Sequence, residues 1–281
     1  MMRFPAELLN PARVAPSIFG ETPRPADAYV LIGGSSQLTA GGAIADGIDD
    51  VSGDQVLMAM VEAGFQDAWM QGLVPAALHI RNDQVAAFRG GEPSKRQAVA
   101  IDTFACLPVA SMPQYLASLG HSRRSVVRRD WKRFAALGLH AATEPAGEVI
   151  EEAAPLVVSV RERHAIADDP RLAALRLALW AASDPGRRLA FTVRSSTGLL
   201  LAVCFGCHHG EVLELYEIGL TEDSSLRQAA YFESMVYAPL RYAVSSGCRT
   251  IHLGQGAARP KQLRGARVEA VWAVGRPREE E

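Results

Sequence analysis

Cysteine is scarce in this sequence, and so are the features that would mark it as secreted, membrane-spanning or globally basic. Four cysteines, Cys106, Cys204, Cys207 and Cys248, are spread over 281 residues. That is too few for a disulfide scaffold, and reduced thiols in a cytosol account for them, so a cytoplasmic location is expected. The longest apolar run, GLLLAVCFG from Gly198 to Gly206, is less than half of the roughly 20 residues a membrane helix needs. It reads as a buried strand, and no membrane insertion is expected. Near the start, Pro5, Asn10, Pro11, Arg13 and Pro16 interrupt any apolar stretch that could serve as a secretory signal. Lys+Arg 29 against Asp+Glu 31 leaves a formal charge of −2, which excludes a nucleic-acid coat protein or a polybasic membrane binder. Any polyanion contact has to be local.

The easily read catalytic signatures are also missing. There is no GxSxG, HExxH, Walker GxxxxGK[ST], GxGxxG after a strand, or EF-hand loop. Cys204-Phe205-Gly206-Cys207-His208 matches the CxxCH spacing of c-type haem attachment, and His209 adds a potential ligand. In a strand, however, Cys204 and Cys207 point to opposite faces, so the motif reads as small buried cysteines and turn histidines. No metal site is expected. Asp46, Asp49, Asp50 and Asp54 read as a solvated acidic loop, and Gly33-Gly34-Ser35-Ser36 as a turn.

What is present is an ordinary core-forming composition, 48% apolar and 21% charged, at a length that permits one large domain or two lobes. Residues 20–54 are rich in Gly and Pro around Tyr29–Ile32 and read as loops. Helical spacing follows from Gln55 to Leu73. Ala76–Ile80 and Val85–Phe88 flank Arg81-Asn82-Asp83-Gln84 as a hairpin would, and Ala98–Phe104 reads as a third strand. Met112–Leu139 carries the clearest helical pattern, broken near Gly120-His121-Ser122, with Ser122 as N-cap and Gly138 as C-cap. Further helices are expected over Glu148–His164 and Pro170–Ala182. An antiparallel meander of Arg188–Arg194, Leu199–Cys207 and Glu211–Leu220 comes next. It is followed by a helix over Ser225–Ser246, a strand Thr250–Leu253, a Gly-rich loop 254–258 and a strand Val268–Val274. This order describes an α+β layer with a largely antiparallel mixed sheet flanked by helices.

Two basic clusters stand out. From Arg123 to Arg133 there are six cations in eleven residues. On a helix, Val126, Val127, Trp131, Phe134 and Leu137 form one face, and Arg124, Arg128, Arg129, Lys132 and Arg133 form the other. Such a face is either solvated or matched to an anion. The second cluster, Arg259, Lys261, Arg264 and Arg267, directly follows Gly254-Gln255-Gly256-Ala257-Ala258 and is a plausible seat for phosphates or an oxyanion.

These residues resemble those of the BioF-like GNAT acyltransferases, relatives of the FemABX peptidyltransferases. The resemblance runs over about 112–275. It is carried by the Arg123-Arg124 and Arg128-Arg129 pairs, Tyr216-Glu217-Ile218-Gly219, Tyr231-Phe232, Tyr237-Ala238-Pro239, Tyr242-Ala243, Gly247 and Val271-Trp272. Its most specific part is the string Gly254-Gln255-Gly256-Ala257 with Lys261 and Arg264-Gly265-Ala266. It implies a GNAT-like fold, with residues 111–281 as the acyltransferase domain and 1–110 as a reduced first GNAT-like lobe. FemABX-like enzymes move an aminoacyl group from aminoacyl-tRNA to an amine, whereas ordinary GNAT enzymes use acyl-CoA. Acyl-CoA binding uses a [RQ]xxGx[GA] loop, and here Ser225-Leu226-Arg227-Gln228-Ala229-Ala230-Tyr231 offers Ala and Tyr where glycines would admit the pyrophosphate. The resemblance therefore implies an aminoacyl-tRNA donor, no bound cofactor, and a peptide or small amine acceptor, from a cell-wall precursor or a specialised metabolite. The alternatives are an acyl-CoA N-acyltransferase and a non-catalytic module that binds RNA or phosphate.

The expected catalytic residues are Lys261, matching the family's C-terminal lysine, for phosphate or oxyanion stabilisation; Glu217 as proton acceptor; and Tyr216 or Tyr231 to orient substrate. Glu217 has a competing reading as a structural ion pair. Arg124, Arg128 and Arg129 would bind the tRNA backbone or a nucleotide diphosphate, and Gly254, Gly256 and Arg264 would complete the substrate contacts.

Overall fold

The computed structural model describes residues 11–20, 29–32, 50–90 and 96–277. The expectations for Gly33–Ser36, Asp46 and Asp49 lie outside these residues. Asp50 to Asp54, expected in a loop, open a helix instead. The chain divides into two compact units, Met1–Phe104 with Glu269–Glu281, and Ala105–Val268.

In the first unit, helices α1 (Pro11–Val14) and α2 (Pro16–Phe19) precede strand β1 (Tyr29–Leu31). Helix α3 (Asp50–Met70), strand β2 (Val74–Arg81), helix α4 (Val85–Arg89) and strand β3 (Gln97–Pro108) follow. β3 crosses the boundary, its last four residues, Ala105–Pro108, belonging to the second unit. The expected hairpin is therefore wrong: Val85–Phe88 is helical, and Ala87 and Phe88 are buried. A four-residue apolar run carries no period that separates a strand from a helical turn. Leu57, Val61 and Phe65 of α3 pack with Phe88 and Ile80 to form this unit's core.

The second unit holds α5 (Met112–Ser118), α6 (His121–Ala136), β4 (His140–Pro145), α7 (Ile150–Arg163), α8 (Pro170–Ala182), β5 (Arg188–Arg194), β6 (Leu200–His209), β7 (Val212–Leu220), α9 (Ser224–Phe232), α10 (Ala238–Ser246), β8 (Thr250–Gln255) and α11 (Ala258–Gln262). Strand β9 (Arg267–Gly275) then returns to the first unit, where it pairs antiparallel with β2. Strand order in the second unit is β8-β7-β6-β5-β4. β4 to β7 are antiparallel, and β7 and β8 are parallel.

Local chemistry explains most boundaries. Ser111 and Gln114 close a reciprocal capping box on α5. Asp169 accepts from the amides of Arg171 and Leu172 with Pro170 at the first helical position, so α8 starts where its sequence says it should. Gly120, not Ser122, precedes α6 and offers no side-chain cap. Between α9 and α10, Glu233–Tyr237 forms a π-turn, with the amide of Ala238 bonding to the Glu233 carbonyl. Pro239 lacks the N–H that an α-helix would direct at Met235, and its ring crowds that carbonyl. The wider turn relieves both problems.

Helices cover both faces of this sheet. On one, Ala153 and Val157 of α7 and Leu177 and Ala181 of α8 pack on Ala190, Val203 and Phe205. On the other, Phe232, Val236 and Leu240 pack on Phe191, Cys204, Leu213 and Leu215, joined by Tyr115 and Val127. α7 approaches β7 very closely, since a Cβ on Gly219 would lie 2.8 Å from Leu156 Cβ and 2.9 Å from the backbone nitrogen of Val157. A backbone atom cannot rotate away. Gly219→Ala is expected to lower unfolding stability by about 1–3 kcal/mol, read from the urea midpoint; a midpoint within error of the parent would show that α7 shifts at no cost.

Candidate functional site

Two irregularities in the sheet create the candidate site. The first is in the β6–β7 ladder, where Cys204 pairs with Ile218 and Gly206 with Leu215. Phe205 therefore faces two residues, Tyr216 and Glu217, in a β-bulge. The bulge resets the alternation of β7: Leu213 and Leu215 before it, and Ile218 and Leu220 after it, all pack toward α9 and α10. Both bulged side chains turn to the other face. Tyr216 stacks on Trp180 of α8 with ring centroids 5.0 Å apart, and Glu217 meets Arg161 of α7 and Arg176 of α8.

The second irregularity is a split between β7 and β8. Their parallel pairing is confined to Val212, Leu213 and Glu214 opposite Thr250, Ile251 and His252, although both strands continue beyond it. The diverging end of β8 carries backbone carbonyls that need donors. Lys261 supplies them: its Nζ donates to Gly254 O at 3.1 Å and Gln255 O at 2.9 Å, and the residue is 1% exposed. Gly254, Gly256 and Ala257 all have positive φ, at 71°, 68° and 46°, which curls the chain back so that α11 can bring Lys261 to those carbonyls.

Around Lys261 the chemistry is desolvated. The Cys204 thiol is pushed up to about 12 by burial, with Lys261 pulling the other way. The Tyr231 phenol is likewise raised to about 12, by burial and by Cys204, against the pull of Arg264. Lys261, Cys204, Tyr231 and Arg264 thus form one neighbourhood. Arg264 itself is turned inward rather than toward a ligand. It donates to Asp130 Oδ2 at 2.6 Å and Pro260 O at 2.8 Å, and its guanidinium lies 3.0 Å from the centre of the Phe232 ring. Tyr237 donates to the same Asp130 oxygen at 2.7 Å, and Tyr115 to the Arg264 carbonyl at 2.9 Å. Arg264, expected among the substrate contacts, is buried within this network. The second basic cluster divides, with Lys261 and Arg264 inside and Arg259 and Arg267 exposed.

Glu217 and Tyr216 belong to a different neighbourhood. Asp168 Oδ2 lies 3.0 Å from both Arg161 Nε and Arg176, and Glu217 Oε1 lies 2.8 Å from Arg161 and 3.1 Å from Arg176. Burial draws the Arg176 guanidinium down, but Glu217 and Asp168 outweigh it and hold it above its ordinary value. Glu217 Oε2 has one long contact, 3.4 Å from Arg176. The four residues expected to form one catalytic group are therefore split between the two faces of the sheet, Tyr231 on the α9 side and Tyr216 with Glu217 on the α7–α8 side. The bulge is the reason, and nothing in the alternation of the sequence announces it.

Arg128 and Arg129 are exposed on the outer face of α6, and Arg124 is half-buried. Neither these three nor Arg123 and Lys132 have an ion-pair partner among the described residues. The helix's one acid, Asp130, faces inward to Arg264 and Tyr237, while Arg133 reaches Gln228 Oε1 at 2.7 Å. An open concavity of about 570 Å³ runs along this face, lined by Ser125, Arg128, Arg129, Trp131 and Lys132. The Trp131 Nε1–H is buried without an acceptor.

The start of α9, by contrast, is negative. Asp223 accepts from the Ser225 amide at 2.8 Å and the Ser225 hydroxyl at 2.6 Å, which hold its carboxyl below the usual range. Glu222 stands beside it, engaged by Arg227. The cysteines of the CxxCH pattern are both buried in β6, Cys204 Sγ lying 3.7 Å from Met235 Sδ. Among the described residues, no three His, Cys, Asp or Glu side chains are arranged to hold a metal.

The acetyltransferase (GNAT) domain profile matches residues 121–262, from the start of α6 to the end of α11. This chain belongs to the GNAT family. It is an acyltransferase by that membership, and the bulged β7 and the split strand pair both lie within the matched residues. Solved structures share the fold at low identity. L-PGS from Bacillus licheniformis superposes with a TM-score of 0.59 at 10% identity, over 80% of this chain and 75% of that one. FemX superposes with a TM-score of 0.58 at 12% identity, over 80% and 77%. A conserved protein of unknown function from Bacteroides thetaiotaomicron gives 0.55 at 15%, over 79% and 76%. No curated protein matches the sequence significantly. No helix among the described residues is long and apolar enough to cross a membrane.

Arg264→Leu removes one partner of the buried pair and leaves Asp130 facing the core of the GNAT domain. It is expected to cost about 3–5 kcal/mol in denaturant unfolding. A loss below about 1 kcal/mol would mean that water or a neighbouring cation replaces the guanidinium.

Proposed function

We propose that this GNAT-fold acyltransferase takes an aminoacyl group from aminoacyl-tRNA and forms an amide bond on an amine of a peptide or small-molecule acceptor. The observation that carries this reading is the placement of charge. An acyl-CoA donor lays its pyrophosphate on the open amides of a helix N-terminus, yet the start of α9 holds the carboxylate of Asp223 on its first amides, with Glu222 next to it. A pyrophosphate would be repelled there. The unpaired cations are on α6 instead, spaced along a helix face as successive backbone phosphates require. The FemABX resemblance supports the same donor.

The donor ester is already activated, so the protein has to orient two groups, take one proton and stabilise an oxyanion. In this reading the split between β7 and β8 receives the ester. Lys261 sits at its end, with the ammonium charge for the oxyanion, and Tyr231 lies on the same side. The amine approaches from the α7–α8 side, where the second oxygen of Glu217 accepts its proton and Tyr216 orients it. Gly254 and Gly256 shape the rim. Residues 1–110, in the same reading, are a reduced first GNAT-like lobe.

Binding of aminoacyl-tRNA and of acetyl-CoA, measured side by side at two salt concentrations, tests the donor. The expected result is tRNA binding with a steep salt dependence and no retention of acetyl-CoA. The double variant Arg128→Ala/Arg129→Ala is expected to reduce the slope of log K against log salt by about 1–2. Acetyl-CoA binding without tRNA binding would make the protein an acyl-CoA N-acyltransferase. Intact RNA binding with no transfer from either donor would make it a binding module. Lys261→Met, checked for folding by its melting curve, is expected to abolish transfer while leaving tRNA binding intact.

A further inference from the structure

Helix α8 is apolar on both sides. Its inner face, Ala173, Leu177 and Ala181, is buried against the sheet. Its outer face carries Leu172, Leu175 and Leu179, which are 62%, 56% and 55% exposed, together with the exposed Ala178 and Ala182. A helix covering a sheet normally presents polar residues to water, and one that is apolar all round is normally covered on both sides. The outward leucines are spaced by three and then four residues, with Ala182 three further on. This is the a/d spacing of a helix–helix seam.

We infer that the outer face of α8 is where two copies of this chain pair, helix against antiparallel helix about a two-fold axis. The charges at its ends select this occupant. Arg171, at the start of the helix, is exposed and has no ion-pair partner among the described residues. Asp184, just past the end, has one long contact, 3.6 Å from Arg187, and its side chain is 39% exposed. Antiparallel pairing centred near Leu177 puts Leu175 against Leu179, Leu172 against Ala182, and Arg171 beside Ser183 and Asp184 of the other copy. The contact is self-complementary, as a two-fold interface must be, and it forms the charge pair twice. A parallel pairing would place Arg171 against Arg171. The exposed alanines between the leucines allow close approach of the two helices. A pair of 13-residue helices buries less than the roughly 1,200 Å² of a stable specific interface, so the dimer is expected to be concentration-dependent, with a micromolar dissociation constant.

Sedimentation velocity of the full chain, from low to high micromolar concentration, is the test. The expected result is a monomer–dimer equilibrium that Leu175→Glu weakens by ~100-fold or more, because it buries an unpaired charge in the seam. Arg171→Glu is expected to weaken pairing about tenfold by facing Asp184 with a like charge, and the double variant Arg171→Glu/Asp184→Arg to restore it. Both positions are solvent-accessible, so these variants test the arrangement even if Leu175→Glu compromises folding. A monomer at every concentration overturns the inference. So does a dimer that Leu175→Glu leaves intact, or one that the charge exchange fails to rescue. Leu175-dependent pelleting of a monomeric protein with phosphatidylglycerol vesicles would assign the face to lipid and overturn it equally.

Discussion

The GNAT domain is organised around a guanidinium that water barely reaches. Arg264 meets Asp130 from α6, the ring of Phe232 from α9 and the carbonyl of Pro260 in its own turn, while Tyr237 from the π-turn shares the Asp130 oxygen. Desolvating one charge alone would cost several kcal/mol, so each of these groups is tolerable only in the presence of the others. The consequence is geometric. α11 cannot move without breaking the pair, and α11 carries Lys261. α6 cannot rotate either, because its single acid is fixed inward, and that orientation leaves its outer face uniformly cationic.

A second constraint comes from the sheet. Parallel strands that pair over three residues and then part leave carbonyls that must be bonded by something other than a strand. Here a lysine does it, on a turn with three left-handed residues among four, Gly254, Gly256 and Ala257. The bulge opposite, at Tyr216 and Glu217, places two adjacent side chains on one face. The charged groups are thereby divided among separate compartments. The Arg161, Asp168, Arg176 and Glu217 set lies under α7 and α8, Lys261 lies near Tyr231 and Cys204, and the unpaired arginines of α6 lie outside.

Much of this was legible in the chain, and the misses have physical causes. α8 was bounded correctly because Asp169-Pro170 and Asp184-Pro185-Gly186 are strong stop and start chemistry. The meander β5–β7 showed through its apolar runs and turn residues. β4 did not, because His140–Pro145 is largely solvent-facing and has no apolar alternation to betray it. The burial of Lys261 and Arg264 was not legible, because their residue types are usually exposed and Arg264 is buried against a partner more than 100 residues away. That Tyr216 and Glu217 face away from Tyr231 was hidden for a similar reason: one inserted residue in a ladder changes which face a side chain occupies, and a single strand's sequence does not contain its register.

The division of the chain also affects the order in which the protein can be made. Ala105–Val268 is continuous in sequence, so the GNAT domain holds nearly all of its own strands once it has left the ribosome. The other unit does not. Its strand β2 must wait for β9, which pairs with it across an interval of almost 200 residues. Closing so long a loop is slow and entropically costly compared with the local hairpins of the meander. During synthesis, the edge of β2 stays open until the intervening domain is complete. The apolar core around α3, which includes Val274 of β9, therefore lacks its last strand until that pairing is made.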